Sequence, residues 1–411
     1  MREDKVKLAH GAGGYESAEL IDKVFRPYLT SAVLGKFEDA GVVRLWAGGE
    51  RPDAPAEQIA VSTDSFVVRP IIFRGGDIGK LAVCGSVNDV VMTGAEPKFL
   101  TCGFVLDTGL SINLLEKIVR SLAMTADEAG VEIIACDTKV VAAGEHEAYG
   151  HDGQGSEGHD APDYDAHGAG DKRLSGGSAA ERFLETGEPG LIINTTCIGA
   201  YPTDSVAAMS AGAAPADGGS EAARPSSYGI KAGDAILVSG DLGRHHAAIL
   251  SARMGVENNI ESDCALLLPL VKALKSADIQ IHSMRDITRG GLGTVLNELA
   301  ASSGVRIEIE KSAIPVNPEV RAFAGIMGLD PLYMGNEGRM VLAVAEEDAK
   351  KALAALRSFE TGENAAVAGI ALSARSDGQD GTGEPLVVMR TPIGGLARVS
   401  PLYGEGLPRI C

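Results

Sequence analysis

Short apolar runs, several of them alternating with polar positions, recur along the first half of the chain. They lie at 58–68 (QIAVSTDSFVV), 98–106 (KFLTCGFVL), 132–141 (EIIACDTKVV) and 191–200 (LIINTTCIGA), and each predicts a β-strand. Between them, residues 78–93 and 113–128 carry apolar side chains at helical spacing, with Leu114, Leu115, Ile118, Val119 and Leu122 forming one stripe. The pattern then restarts. DAILVSGDLG (234–243) reads as a strand and glycine turn, and SDCALLLPLVKALKS (262–276) as a helix opening on Ser262 as N-cap. GGLGTVLNELAASSG (290–304) predicts a helix closed by Gly304. Strands VRIEIE (305–310) and RMVLAVA (339–345) follow, then a helix EEDAKKALAALRSF (346–359). Two α/β halves of similar size result, with a boundary near residues 203–230.

Two segments carry no burial pattern. Residues 144–189 open with GEHEAYGHDGQGSEGHDAPDYDAHGAGD, rich in Gly, Asp, Glu and His, and residues 205–228 are rich in Ala, Gly, Ser and Pro. Both read as disordered surface insertions. The first lies between two predicted strands and is expected to lengthen one hairpin. Composition narrows the partners. With 56 acidic and 37 basic residues the formal charge is −19, the wrong sign for a nucleic-acid or anionic membrane surface. MREDKVKLAHGAGG lacks the apolar run of a signal peptide, and no stretch approaches the roughly 20 residues that span a bilayer. A cytoplasmic protein is expected. The cysteines form no CxxC pair, and Cys84, Cys102, Cys136, Cys197 and Cys264 sit in apolar stretches, where buried, reduced thiols are expected. Cys411 is the exception. It ends the chain in LPRIC, where a thiol packs nothing and is open to reaction.

Aspartates with neighbouring glycines recur at strand ends: STDS (62–65), GSVNDV (85–90), CDTK (136–139), SGDLG (239–243) and MRDITRGG (284–291). A lone aspartate there is most often a turn former or cap. Several together suit Mg²⁺, which takes a few carboxylates and leaves the rest of its shell to phosphate and water. Glycines let backbone N–H groups approach phosphate oxygens. The familiar nucleotide motifs do not apply. In RGGDIGKL, Arg74 stands where a P-loop needs its first glycine and Leu81 replaces Ser or Thr, and no GxGxxG follows a strand. LAHGAGGYESAELI (8–21) places His10, Gly11, Gly13 and Gly14 ahead of a helix, again suited to phosphate. An ATP site of another kind remains.

Taken together, HGAGG, STDSFVV, GGDIGKLAVCGSVNDVVMTGAEPKFLTCGFVL, CDTKVV, RDITRGGLGTVLNELA, NEGRMVLAV and the terminal PRIC resemble the HypE family of hydrogenase maturation proteins, the carbamoyl dehydratases. The likeness covers nearly the whole chain outside the two insertions. It implies an α/β (α+β) PurM-like fold of two domains, shared with the aminoimidazole-ribonucleotide and selenophosphate synthetases, and a homodimer. On this reading residues 1–44 are an arm and helix, and 45–203 an N-terminal ATP-binding dimerisation domain holding the 144–189 insertion. A linker (204–229), a C-terminal domain (230–403) and a mobile reactive tail (404–411) follow.

The resemblance also implies the chemistry. A partner carbamoyltransferase, HypF, loads a carbamoyl group onto Cys411. ATP phosphorylates the carbamoyl oxygen, and loss of phosphate and a nitrogen proton leaves a thiocyanate. Its cyanide passes to an iron-carrying HypC–HypD complex for the [NiFe]-hydrogenase centre. Asp64, Asp89, Asp137 and Asp286 match the family's acidic Mg²⁺–ATP positions. Lys80 and Lys139 are placed to meet phosphate, Glu337 in NEG is the candidate base, and His245 matches a family histidine, although Arg244 and His246 depart from the pattern around it. The residue types fit: phosphorylation turns a poor leaving oxygen into a good one, and phosphoryl transfer needs positioning and charge neutralisation above all. An unperturbed thiol of pKa about 8.5 is only a few per cent thiolate at pH 7; the adjacent α-carboxylate raises that pKa and Arg409 offsets it. Residues 405–411 extend roughly 20–25 Å, enough to present Cys411 to a partner and return it. Gly404 and Gly406 are expected hinges.

Two other readings compete. A synthetase of the same fold acting on a free metabolite would have no use for a terminal cysteine. A nickel-binding protein could use His146, His151, His159 and His167, yet their spacings of 5, 8 and 8 define no compact site.

Overall fold

A computed structural model describes residues 7–36, 38–44, 58–142, 190–201, 225–374 and 386–403. Cys411, the tail and the 144–189 insertion, with its four histidines, lie outside the described residues.

The first half is built on a five-stranded sheet: β1 (Gly41–Arg44), β2 (Gln58–Phe66), β5 (Glu96–Asp107), β6 (Glu132–Val141) and β7 (Leu191–Ala200). A two-residue-per-strand hairpin, β3 (Ile72–Phe73) and β4 (Gly76–Asp77), leads into helix α2 (Ile78–Met92). The sheet order is β1-β2-β7-β5-β6, with β5 and β6 parallel and the other pairs antiparallel. This corrects the hairpin expected around the insertion. Helix α3 (Ile112–Ala129) connects β5 to β6, so β6 emerges parallel to β5, and β5 then separates it from β7.

The second half carries a seven-stranded sheet in the order β14-β13-β10-β12-β8-β11-β9. Its strands are β8 (Ala235–Val238), β9 (Ile281–Asp286), β10 (Val305–Glu310), β11 (Met340–Val344), β12 (Ala366–Ser373), β13 (Leu386–Arg390) and β14 (Leu396–Arg398). Helices α4 (Arg244–Arg253), α5 (Leu268–Ser276), α6 (Gly291–Ser303), α7 (Pro318–Met327) and α8 (Ala349–Leu356) pack around it. A six-residue helix, α1 (Tyr15–Leu20), follows the N-terminal glycines.

Helix α2 explains how the halves meet. It is apolar nearly all round and buried on every face, with only Lys80 and Asp89 keeping some exposure. It packs on β2 and β7 of the first sheet and on β9 and α5 of the second half. One core cluster therefore joins Leu81, Val87 and Ile193 to Leu267, Leu270 and Met340. Gly85 permits the packing, since a Cβ there would lie 2.5 Å from the Phe66 ring. Glycines close α3 and α6 as left-handed caps, Gly130 at φ 69° and Gly304 at φ 65°.

The helix expected from Ser262 begins later, at Leu268. The preceding residues are held extended by tertiary partners. Asn88 on α2 donates to the Ala265 carbonyl at 3.0 Å and accepts from the Leu267 N–H at 2.8 Å, while Ser262 N–H bonds to the Arg74 carbonyl at 2.8 Å. The 346–359 helix likewise shortens to a 3₁₀ turn (Glu346–Asp348) and α8.

Candidate active site

The two halves and the N-terminal arm enclose a cavity of about 550 Å³. Among the residues singled out in the sequence, Gly13, Gly14, Asp64, Asp89, Asp286 and Glu337 line it. Each arrives on a different element. Asp64 points from β2, Asp89 from the last turns of α2, and Asp286 from the end of β9. Glu337 sits in a loop fixed at both neighbours. Asn336 donates to the Ile287 and Met334 carbonyls at 3.0 and 3.1 Å and accepts from Gly243 N–H at 2.7 Å. Glu337 N–H bonds to Asp263 Oδ1 at 3.1 Å, and Gly338 has no room for a Cβ, which would lie 2.0 Å from the Asp263 carbonyl oxygen.

The cavity gathers several buried acidic side chains, offset only in part by Arg285 and Arg289. Burial pushes the Asp89 carboxyl well above its usual range, and Asp286, Asp64 and Asp39 push it further; the Ser62 hydroxyl, donating at 2.6 Å, works against them. Burial raises Asp286 to about 6 against the pull of the Arg285 guanidinium. Glu337 is raised well above the normal glutamate value by burial, then by Cys264, Asp286 and Asp263. A cluster whose members oppose each other's ionisation favours a bound cation.

The cavity's acidic donors bear on whether it can hold Mg²⁺. No group of three or more His, Cys, Asp or Glu converges on one metal position among the described residues. Mg²⁺ does not require one, because it is commonly held by one or two carboxylates with phosphate and water completing the shell. Asp64, Asp89 and Asp286 all line the cavity, so one or two of them can supply that share of the shell.

Other residues singled out in the sequence lie elsewhere. Asp137 and Lys139 stand on β6, the outer strand, with side chains 71% and 67% exposed and paired with each other. Lys80 donates to the Gly75 carbonyl at 3.3 Å, outside the cavity lining. His10 accepts from Lys7 N–H at 3.0 Å, and neither it nor Gly11 lines the cavity. His245 is buried against Ser262, 2.8 Å from its hydroxyl, and meets the Phe73 ring edge-on at 5.4 Å. Burial pushes its neighbour His246 down to about 3, so that imidazole is neutral. Asp241 of SGDLG does not face the cavity lining; it holds the buried Arg339 guanidinium at 3.1 Å. The N-terminus of α2 is not open to phosphate either, because Asp77 accepts from Gly79 and Lys80 N–H groups at 2.8 and 3.1 Å.

The sequence reading missed Asp39, Arg285, Arg289 and Glu298, all of which line the cavity. Asp39 is buried in an ion pair with Arg285, which also lies 3.5 Å from Glu298. Arg285 sits beside Asp286 in the MRDITRGG motif, so a signal for it existed; Asp39 lies in an unremarkable FEDAG stretch.

The described residues end beside this cavity. Leu402 accepts a hydrogen bond from Tyr15 N–H at 2.9 Å, next to the cavity-lining Gly13 and Gly14. Eight residue steps lead from Tyr403 to Cys411, at most about 26–29 Å of extended chain.

Comparison with known proteins agrees with this architecture. Residues 37–151 match the family described as AIR synthase related protein, N-terminal domain, and residues 231–378 its C-terminal domain. The chain is 37% identical to carbamoyl dehydratase HypE of Rhodobacter capsulatus, over 100% of this chain and 99% of that one. It is 35% identical to the HypE of Escherichia coli K12, over 99% and 100%. A solved structure of HypE in complex with ATP superposes with a TM-score of 0.67 at 37% identity, covering 99% of this chain and 100% of that one. A HypE–HypF complex gives 0.69 at 32% identity, covering 93% and 99%. A ThiL structure complexed with AMPPCP and TMP, at 16% identity, a TM-score of 0.55 and 90% and 94% coverage, shares the fold.

Proposed function

The chain belongs to the HypE family of ATP-dependent carbamoyl dehydratases of hydrogenase maturation, and from that premise we propose that its substrate is its own C-terminal Cys411, carbamoylated by HypF. The observation that carries this reading is the convergence of Asp64, Asp89, Asp286 and Glu337 with Gly13 and Gly14 in one cavity, next to which Leu402 bonds to Tyr15.

The carbamoyl oxygen attacks the γ-phosphorus of ATP, forming a C–O–P linkage and releasing ADP. The nitrogen gives up both its hydrogens, one after phosphorylation and one as the C–O bond breaks and phosphate leaves. Cys–S–C≡N remains. One or two of Asp64, Asp89 and Asp286 would hold Mg²⁺, which when bound would neutralise phosphate charge. The backbone of Gly14 approaches the phosphates, with His10, Gly11 and Gly13, whose N–H donates to Ser17 Oγ at 2.9 Å, shaping the turn. Lys80, outside the lining, adds positive charge only on leaving the Gly75 carbonyl. Glu337 takes a nitrogen proton. Its raised affinity for a proton makes it a stronger base than an exposed glutamate once ionised, and a nearby cation favours that ionised form.

Asp137 and Lys139 enter through a homodimer. β6 is an edge strand exposed along most of its length, with Ile134 and Val140 open to solvent, which suits pairing with a second copy. The two polar side chains then serve a site that only the dimer completes. Release of cyanide to a HypC–HypD complex follows. No helix among the described residues is long and apolar enough to cross a membrane.

The test is mass spectrometry of the C-terminal peptide after incubation with HypF, carbamoyl phosphate, ATP and Mg²⁺. Cys411 gains a carbamoyl group and then loses one water equivalent. Cys411→Ala shows neither change yet binds ATP, and Glu337→Gln stops at the carbamoyl stage. An adduct on Cys84, Cys102, Cys136, Cys197 or Cys264 in place of Cys411 would refute the reading.

A further inference from the structure

The last described residues are laid across the start of α6 by a series of bonds. Val399 O accepts from Asn297 Nδ2 at 3.1 Å, Ser400 O from the Tyr333 hydroxyl at 2.8 Å, and Leu402 N–H donates to Thr294 Oγ1 at 3.3 Å. The chain then changes partner. Leu402 O accepts from Tyr15 N–H at 2.9 Å, and the rings of Tyr15 and Tyr403 stack at 5.2 Å with 27° between their planes. Gly14 allows this approach, because a Cβ there would stand 2.4 Å from the Leu402 carbonyl oxygen. On its other side the arm is pressed against the 286–290 loop. Gly13, at φ 75°, would place a Cβ 2.9 Å from the Arg289 carbonyl oxygen. The arm is thus wedged between the loop that carries Asp286 and the root of the C-terminal tail.

We propose that the Tyr15–Tyr403 stack is a clasp that positions the tethered substrate, fixing the point beside the cavity from which residues 404–411 depart. The proposal rests on the reading of Cys411 given above. Tyr15 is 48% exposed and Tyr403 62%, so the pair is poorly placed to stabilise a core. Its geometric consequence is larger than its burial. With the clasp closed, eight residues tether the reacting sulfur; if the bonds at Ser400 and Leu402 open along with the stack, the segment is released back to Val399 and twelve do. Local concentration of a tethered group falls as about the −3/2 power of tether length, a loss of roughly twofold. Losing the orientation supplied by the stack adds to this, for a combined slowing of about 2- to 10-fold. Tyr15 and Tyr403 are positioning residues; neither is asked to touch the carbamoyl group.

The test uses the full chain, loaded on Cys411 by HypF, with single-turnover dehydration started by adding Mg²⁺ and ATP and followed by the mass of the C-terminal peptide. Tyr403→Ala slows dehydration about 2- to 10-fold, while ATP-dependent thermal stabilisation matches the wild type. Tyr403→Phe, which keeps the ring, restores the rate. Tyr15→Ala combined with Tyr403→Ala is no slower than the slower single variant, because one pairwise contact is lost only once. Equal rates in wild type and Tyr403→Ala overturn the proposal, as does a Tyr403→Phe as slow as the alanine variant. So does a Tyr403→Ala that loses its ATP-dependent stabilisation. A wild-type protein that never gains the carbamoyl group on Cys411 fails at the earlier reading instead, and separates the two.

Discussion

Replacing Asp286 by Asn probes the claim that this cavity stores electrostatic strain that the bound substrate relieves. Burial raises the carboxyl from 3.8 to about 6. The folded chain therefore holds that proton more tightly than the unfolded chain, and stability falls as pH rises from about 4 through about 6. Above both values the ionised carboxylate opposes folding by roughly 3 kcal/mol, at about 1.36 kcal/mol per pKa unit. Asn keeps the shape, removes the charge and offers an amide to the neighbouring carboxylates. Taking about 2.1 cal/mol/K of unfolding entropy per residue over the whole chain, roughly 3 kcal/mol corresponds to a melting temperature about 3–4 °C higher. Differential scanning calorimetry of the nucleotide-free protein with chelator, at pH 7.5 and pH 5, reads this directly. The advantage of Asp286→Asn should shrink to roughly half at pH 5, where the wild-type carboxyl is mostly protonated when folded and mostly ionised when unfolded. With Mg²⁺ and ATP the order reverses, because the wild type gains the cation and the variant does not. A variant that melts below the wild type without ligand at pH 7.5, or an advantage independent of pH, would refute the reasoning.

Arg339 should behave in the opposite way. Its guanidinium is buried, 3.1 Å from Asp241 and 3.6 Å from Asp263, so Arg339→Met strands two buried acids and should destabilise the fold by about 3–5 kcal/mol in chemical denaturation. A loss under 1 kcal/mol would show that water reaches those carboxylates. Replacing residues 144–189 by a Gly-Ser linker should leave ATP-dependent activity intact. Val141 and Gly190 flank the end of β5, bonded to Thr108 and Asp107, so the linker must cross one strand, about 10 Å, and six residues suffice. Insoluble protein, or soluble protein without activity, would give the segment a role beyond connection.

Much of the local structure was legible in the residue pattern. The strands at 132–141, 191–200 and 305–310 and the glycine ending α6 follow from side-chain period and from the ease with which glycine takes a positive φ. These are properties of neighbours in sequence, so a linear reading captures them. The motifs also marked Asp64, Asp89, Asp286 and Glu337 individually. What the sequence left open were the relations between distant segments. It could not show that β5 separates β6 from β7, because strand pairing is decided by crossover connections. It placed a helix at Ser262, where Asn88, 177 residues away from its partner Ala265, holds the chain extended. It grouped Asp241 with the phosphate-facing acids, whereas folding turns it to Arg339, and it passed over Asp39, whose meaning depends on Arg285 packed beside it. Aspartates in similar Gly-containing stretches diverge in this way because a carboxylate's role is set by the charge folding brings within a few ångströms, and Coulomb energy in a buried site depends on that distance and not on sequence separation.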